Sequence, residues 1–226
     1  MPFIHAETAS FDPAAVVYTL DDGTRVIRKG GTLTWRNNNP GNLRYTAFSR
    51  NHGAIGTAGG FAAFPTVEVG KLAMAALLQG PRYSPLSITN AIARYAPPSE
   101  NDTKNYERLI ARLTGLDVTR KMSELNANEL ALVVSAIQTI EGFKIGIETT
   151  VKRVVSVISE NDRLSKFLIQ GDSSHITLSA AITQAKSGRI DAVVVRMRSG
   201  REYLRARPDR TNSNNLRSLA EQSSEA

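Results

Sequence analysis

The residue best placed for proton chemistry is Glu141. A helix is predicted to start at Asn126, which forms a capping-box pattern with Glu129, and to end at Gly142. At about 100° per residue, and with Leu130 at zero, Val133 falls at about −60°, Val134 at about 40°, Ile137 at about −20° and Glu141 at about 20°. Glu141 therefore projects from the middle of the apolar stripe, where an unpartnered charge is costly. Desolvation and the negative end of the helix dipole both favour the protonated acid there. A carboxylic acid that keeps its proton near neutral pH suits glycosidic bond cleavage, because the leaving oxygen must be protonated as the bond breaks. Periodicity alone leaves two competing readings open: a helix end that turns outward at Gly142, and a structural ion pair.

A second cluster surrounds a Pro-Gly turn in Trp35-Arg36-Asn37-Asn38-Asn39-Pro40-Gly41-Asn42-Leu43-Arg44-Tyr45. Amides such as Asn37, Asn39 and Asn42 can bond sugar hydroxyl and N-acetyl groups. Tyr45 offers an aromatic face, and Arg44 can meet a carboxylate. The plainer alternative is an Asx-rich loop, since asparagine is a good turn former.

Composition closes several other routes. The chain has 226 residues and no cysteine, which excludes disulfides, thiolate nucleophiles and Cys-ligated zinc. His5, His52 and His175 stand far apart with no ligand spacing, so neither a metal nor another cofactor is expected. No G-x-S-x-G segment supports a serine triad. The net charge of +7 favours polyanionic surroundings without choosing among nucleic acid, membrane surface and cell wall. Much of the excess lies in the stretch from Arg189 to Arg217, where a solvated basic face is the plain reading. No apolar run reaches the ~20 residues of a membrane span, and no secretory signal is recognised at the N-terminus.

The elements expected to position these residues are mostly helical. Residues 1–13 read as a flexible leader, Val16 to Leu20 and Thr24 to Arg28 as a hairpin around Asp22-Gly23, and residues 30–62 as a long loop region. Helices are predicted over Thr66–Leu78, Ser87–Tyr95, Asp102–Leu113, Asn126–Glu141, Glu148–Ile158 and Asp162–Ile169. A composition change at Gly171 to His175 leads into a helix over Thr177–Lys186 and a hairpin around Ser199-Gly200. The expected architecture is a mainly α, lysozyme-like helical domain with a small β element over 14–170, a small αββ accessory module over 171–208, and a disordered tail over 209–226.

The run N-N-N-P-G-N-L-R-Y, then Gly60-Phe61-Ala62-Ala63-Phe64-Pro65, then Tyr95 through Thr103 and Tyr106, resembles a group of phage-virion and secretion-associated proteins regarded as peptidoglycan-degrading enzymes. The resemblance covers roughly residues 33–146. A further likeness is to flagellar-type glucosaminidases of the lysozyme-like superfamily. Here Asn42-Leu43, Phe61 to Phe64 and Arg82-Tyr83 precede Ser135 to Gly142, which implies a circular permutation of that order. Together these imply a peptidoglycan glycan-strand hydrolase or lytic transglycosylase with Glu141 as the acid. Asn37, Asn39, Asn42, Arg44, Tyr45, Tyr95, Asp102 and Tyr106 are implied as substrate-binding residues. Glu68, Glu100 and Asp102 are candidates for the second carboxylate of a conventional glycosidase, and a transglycosylase needs none. The resemblance also implies phage or secretion-system partners, an immunity protein, and delivery from the bacterial cytoplasm to the periplasm and wall as an antibacterial effector. The C-terminal stretch from Tyr203 to Leu216 resembles a small domain appended to bacterial proteins, which assigns it no chemistry. The alternatives are a non-enzymatic wall-binding component and, weakest because aromatics are few near the arginines, nucleic-acid binding.

Overall fold

A computed structural model describes residues 2–97, 102–161, 163–206 and 215–224. In chain order the elements are β1 (Phe3–Ala9), β2 (Asp12–Leu20), β3 (Arg25–Lys29), α1 (Leu33–Arg36), α2 (Ala47–Asn51), β4 (Gly56–Ala58), β5 (Phe61–Ala63), α3 (Val67–Gln79), α4 (Ile88–Tyr95), α5 (Thr103–Thr114), a 3-10 turn (Met122–Glu124), α6 (Ala127–Glu141), β6 (Ile147–Thr150), β7 (Val154–Glu160), β8 (Arg163–Ile169), β9 (Ile176–Thr177), α7 (Leu178–Lys186), β10 (Val193–Arg196), β11 (Glu202–Arg205) and α8 (Leu216–Ser224). Helix makes up 37% and strand 29%, so the mainly α, lysozyme-like class is corrected to mixed α/β. Among the described residues, no helix is long and apolar enough to cross a membrane.

Four misread segments account for the correction. The expected loop region at 30–62 holds α1, α2, β4 and β5. The expected leader is β1 followed by the start of β2, paired antiparallel in a register that sets Ala6 against Tyr18. The stretch expected as helix from Glu148 to Ile158 is β6 and β7, and that from Asp162 to Ile169 is β8. In β7, Val154 and Val157 are buried while Val155 is exposed; in β8, Phe167 and Ile169 are buried and flank the partly buried Leu168. Apolar residues three apart fit a helix on paper, but β-branched side chains prefer a pleated surface, and a bulge in β7 absorbs the odd spacing.

The chain divides into two compact units, Met1–Gly23 with Arg28–Glu148 and Thr24–Ile27 with Thr149–Ala226. The break lies at 148/149 where one near 170 was expected, and β8 pairs antiparallel with β9 beyond Gly171, so one sheet takes in residues on both sides of that position. In the first unit β1 pairs with β2 and also, in parallel, with β4, which turns back antiparallel as β5. Gly56 lies so close to the Ala6 carbonyl that no Cβ would fit. The full strand order of this mixed sheet is β5-β4-β1-β2-β3-β6.

The core of the first unit is helical. Phe64, Met74, Leu78, Ile88, Ile92, Ile110, Val133 and Ile137 are among its buried residues. Each of the four longer helices starts on a side-chain cap: Thr66 for α3, Ser87 for α4, Asp102 for α5 and Asn126 for α6. Such caps satisfy N–H groups that have no partner within the helix. Gly115 ends α5 in the left-handed conformation.

In the second unit, β7, β8 and β9 form one antiparallel sheet and β10 and β11 a hairpin. Val157, Phe167, Ile169, Ala181, Leu204 and Leu216 form part of its core. Leu216 and Ala220 of α8 are buried there, so the segment expected as disordered tail supplies a core helix. The rest of that expectation, at 209–214 and 225–226, lies outside the described residues, as do Glu100 and the Pro98 to Asn101 part of the sequence motif.

Candidate active site

The Asn-rich loop is built as a backbone scaffold. Asn38 and Asn42 take positive φ values of 51° and 49°, a region asparagine tolerates better than most residues. Three neighbouring amides face inward. Asn37 Nδ2 donates to the Ala58 carbonyl at 3.0 Å. Asn38 Nδ2 donates to the Phe64 and Pro65 carbonyls at 3.0 and 3.1 Å. Asn39 Nδ2 donates to the Leu43 and Ala62 carbonyls at 2.9 and 2.8 Å, while its Oδ1 accepts from the Leu43 N–H at 2.9 Å. Asn37 and Asn39 are fully buried. They were expected to touch substrate, and the structure instead makes them braces between the loop and β4 and β5.

Further ties fix the loop's position. Arg28 donates to the Trp35 carbonyl at 3.1 Å and to Asn38 Oδ1 at 2.8 Å, and its Nε donates to Glu148 at 2.6 Å. Its guanidinium also lies over the rings of Phe3, Tyr18 and Trp35. The Tyr18 hydroxyl donates to the Arg36 carbonyl at 2.8 Å, and burial holds that phenol far above its ordinary pKa. The Thr34 hydroxyl donates to the Gly142 carbonyl, and the Thr32 N–H to the Lys144 carbonyl, so the loop is bonded to the chain just beyond α6. Gly70 of α3 lets the Asn38 carbonyl approach to where a Cβ would overlap it. Arg28 carried no signal in the sequence, and Asn38 stood only as a member of the Asn-rich run; a glycine inside the helical pattern of α3 was the available signal of the close approach.

The product of this scaffold is a group of four side chains around the last residue of α6. Asn42 Nδ2 donates to Glu141 Oε2 at 2.8 Å, and the Tyr106 hydroxyl donates to Glu141 Oε1 at 3.1 Å. The Tyr95 hydroxyl donates to the Gly41 carbonyl, and its ring meets that of Tyr106 edge to face with centroids 6.3 Å apart. Glu141 itself is half-buried. Burial raises the pKa of Tyr106 most, with the nearby Tyr95, the charge of Glu141 and the hydrogen bond to it adding to the rise; burial and the charge of Glu141 do the same for Tyr95. Both phenols therefore keep their protons and serve as donors.

Each Glu141 oxygen uses one lone pair in this way and keeps another. Asn42 Oδ1 is buried with no partner among the described residues. The amide must turn its N–H toward an ionised carboxylate, even though this leaves Oδ1 unbonded at a cost of roughly 1–3 kcal/mol. A half-turn of the same amide would let Oδ1 accept from a protonated Glu141.

The remaining expected residues lie apart from this hydrogen-bonded group. Arg44 is exposed with its guanidinium 4.4 Å from the Phe61 ring centroid, and Tyr45 lies under Arg50 at 5.5 Å. Asp102 accepts from the Asn105 N–H at 3.1 Å as the cap of α5. Glu68 is exposed in the first turn of α3. Among the described residues, no cluster of three His, Asp or Glu could hold a metal ion.

A family model described as "Protein of unknown function (DUF3892)" matches residues 134–220. No curated protein and no solved structure matches the chain. The matched stretch takes in the second half of α6, with Glu141, and continues into α8.

Proposed function

We propose that the chain cleaves the glycan strand of peptidoglycan, with Glu141 giving a proton to the leaving glycosidic oxygen. The observation that carries this reading is the Asn42–Glu141–Tyr106 group, a half-buried carboxyl at a helix end with a donor on each oxygen. Tyr106 and Asn42 orient the carboxyl, and one unused lone pair on either oxygen can carry the transferable proton. The reorientable Asn42 amide suits a residue that alternates between acid and base, since it can pair with either form.

Of the two candidates for a second carboxyl among the described residues, Asp102 is engaged in capping and Glu68 is exposed, which favours chemistry that needs one carboxyl. In that chemistry the substrate's own N-acetyl or muramyl hydroxyl group serves as the internal nucleophile, and Glu141 both delivers and recovers the proton. The motif likeness to wall-degrading virion and secretion-associated proteins supplies the substrate class, and with it delivery to the wall from a producing cell. A purely wall-binding role for the loop is less favoured, because Asn37 and Asn39 turn inward.

Purified chain incubated with sacculi should release soluble muropeptides. Mass spectrometry of their ends distinguishes anhydromuramyl, reducing muramyl and reducing glucosaminyl products; undigested sacculi would reject the proposal.

A further inference from the structure

The second unit holds most of the chain's excess charge. It contains 14 of the 28 Lys and Arg residues but 8 of the 21 Asp and Glu, which gives it six of the seven net positive charges. Within it, an open cleft of about 850 Å³ is bounded by the β7–β8 hairpin, β11 and α8. Leu164, Leu204 and Leu216 contribute apolar surface. Arg163, Arg201, Arg205 and Arg217 also line it, and Glu221 is the opposing charge among the described lining residues. All four arginines are exposed. The ion pairs of this unit are Arg25–Asp191, Lys152–Asp172, Lys166–Glu160 and Lys186–Glu202, so among the described residues none of the four is paired.

The cleft also has a direction. Tyr203, Leu204, Arg205 and Ala206 are consecutive, and all four line it. Successive side chains of a strand point to opposite faces, so a cleft that touches Tyr203, Leu204 and Arg205 of β11 in a row runs along the strand's edge. β11 pairs with β10 in a two-stranded sheet, and among the described residues its other edge has no strand beside it. Such an edge presents backbone N–H and C=O groups to an incoming extended chain.

We infer that this cleft binds an extended acidic peptide segment of a partner protein, added along the free edge of β11. Carboxylates of the segment meet the arginine forks, which accept them in bidentate geometry, and an alternating apolar side chain rests on the leucines. Single-stranded nucleic acid fits less well, because it needs successive stacking platforms and Tyr203 is the aromatic residue lining the cleft. An anionic bilayer is met by protruding apolar side chains rather than recessed ones. The inference is independent of the reading of Glu141.

The test is fluorescence anisotropy of the full chain with a labelled peptide of about eight residues alternating Glu and Val, long enough to span a strand. The comparison probes are the same peptide with Lys for Glu, the Glu-Val peptide N-methylated at alternate backbone nitrogens, a single-stranded oligonucleotide, and phosphatidylcholine–phosphatidylglycerol vesicles. The Glu-Val peptide should bind at low salt. It should weaken by about tenfold or more in R205E/R217E, a loss of about 1.4 kcal/mol, and the Lys peptide should not bind. R163E, on a different element, should weaken it in the same direction, which covers the case in which the double variant fails to fold. N-methylation should abolish binding whichever edge nitrogens it blocks, if both methylation registers are tried. Unchanged affinity in the folded arginine variants, or for both methylated peptides, overturns the inference. Tighter binding of the oligonucleotide or vesicles, lost in the same variants, assigns the cleft to nucleic acid or membrane and also overturns it.

Discussion

Replacing Asn39 by alanine separates a scaffolding amide from a substrate-binding one. The side chain is fully buried and makes three hydrogen bonds, two to carbonyls and one from the Leu43 N–H. The Leu43 carbonyl would still accept from the Ala62 N–H at 2.8 Å, so the groups left without partners are the Leu43 N–H and the Ala62 carbonyl. Each buried orphan costs roughly 1–3 kcal/mol, which makes a total of about 2–6 kcal/mol against a folding stability of about 5–15 kcal/mol. At about 2–4 °C per kcal/mol for a chain of this size, the Tm should fall by on the order of 10 °C. Asn39→Asp should be at least as harmful, since it loses both donors and aims a buried carboxylate at two carbonyls. Thermal melts followed by circular dichroism, alongside muropeptide release measured well below the transition, provide the assay. A Tm within about 2 °C of the parent combined with lost activity would refute the scaffolding argument and return Asn39 to the substrate.

Three other outcomes follow from the same geometry. Gly70→Ala should destabilise the first unit by about 1–3 kcal/mol, because the new Cβ overlaps the Asn38 carbonyl; an unchanged denaturant midpoint would contradict the close approach. Tyr18, Tyr95 and Tyr106 all have raised pKa values in the fold, so their neutral forms are favoured there. Stability should be unaffected by them below about pH 10, the unfolded tyrosine value, and should fall above it by up to about 1.4 kcal/mol per pH unit for each residue. Urea melts between pH 8 and 11 measure this, and Tyr106→Phe should make the decline shallower. A chain ending at residue 170 should bind a hydrophobic dye strongly, because Phe167 and Ile169 lose their cover from Ala181, Leu204 and Leu216; a cooperative melt without dye binding would favour the later boundary.

The sequence made the helical part legible because its punctuation is local. Thr66, Ser87, Asp102 and Asn126 all cap the helices they were expected to start, and Gly115 and Gly142 follow their ends. The Ser199-Gly200 hairpin was equally readable. β1 was not, since its pairing with β2 is set by a register between chain segments rather than by a signal within Phe3–Ala9. The apolar pattern of β7 fits two periods, and only the packing of Val154 and Val157 against the second core decides between them.

At the site, periodicity picked out Glu141, and the motif picked out Asn42 and Tyr106. Neither could distinguish Asn42, which reaches the carboxylate, from Asn37 and Asn39, which turn inward. That difference comes from the left-handed turns at Asn38 and Asn42 and from carbonyls of β4 and β5 distant in sequence.

The central claim is that Glu141 transfers the proton, and Glu141→Gln tests it most directly. Glutamine keeps an acceptor for Tyr106, and its new N–H can be met by Asn42 Oδ1 after a half-turn of that amide, so the fold and Tm should survive. Muropeptide release from sacculi, quantified by mass spectrometry at matched protein concentration, should then fall by about 100-fold or more. Parental release by a folded Glu141→Gln chain would contradict the account.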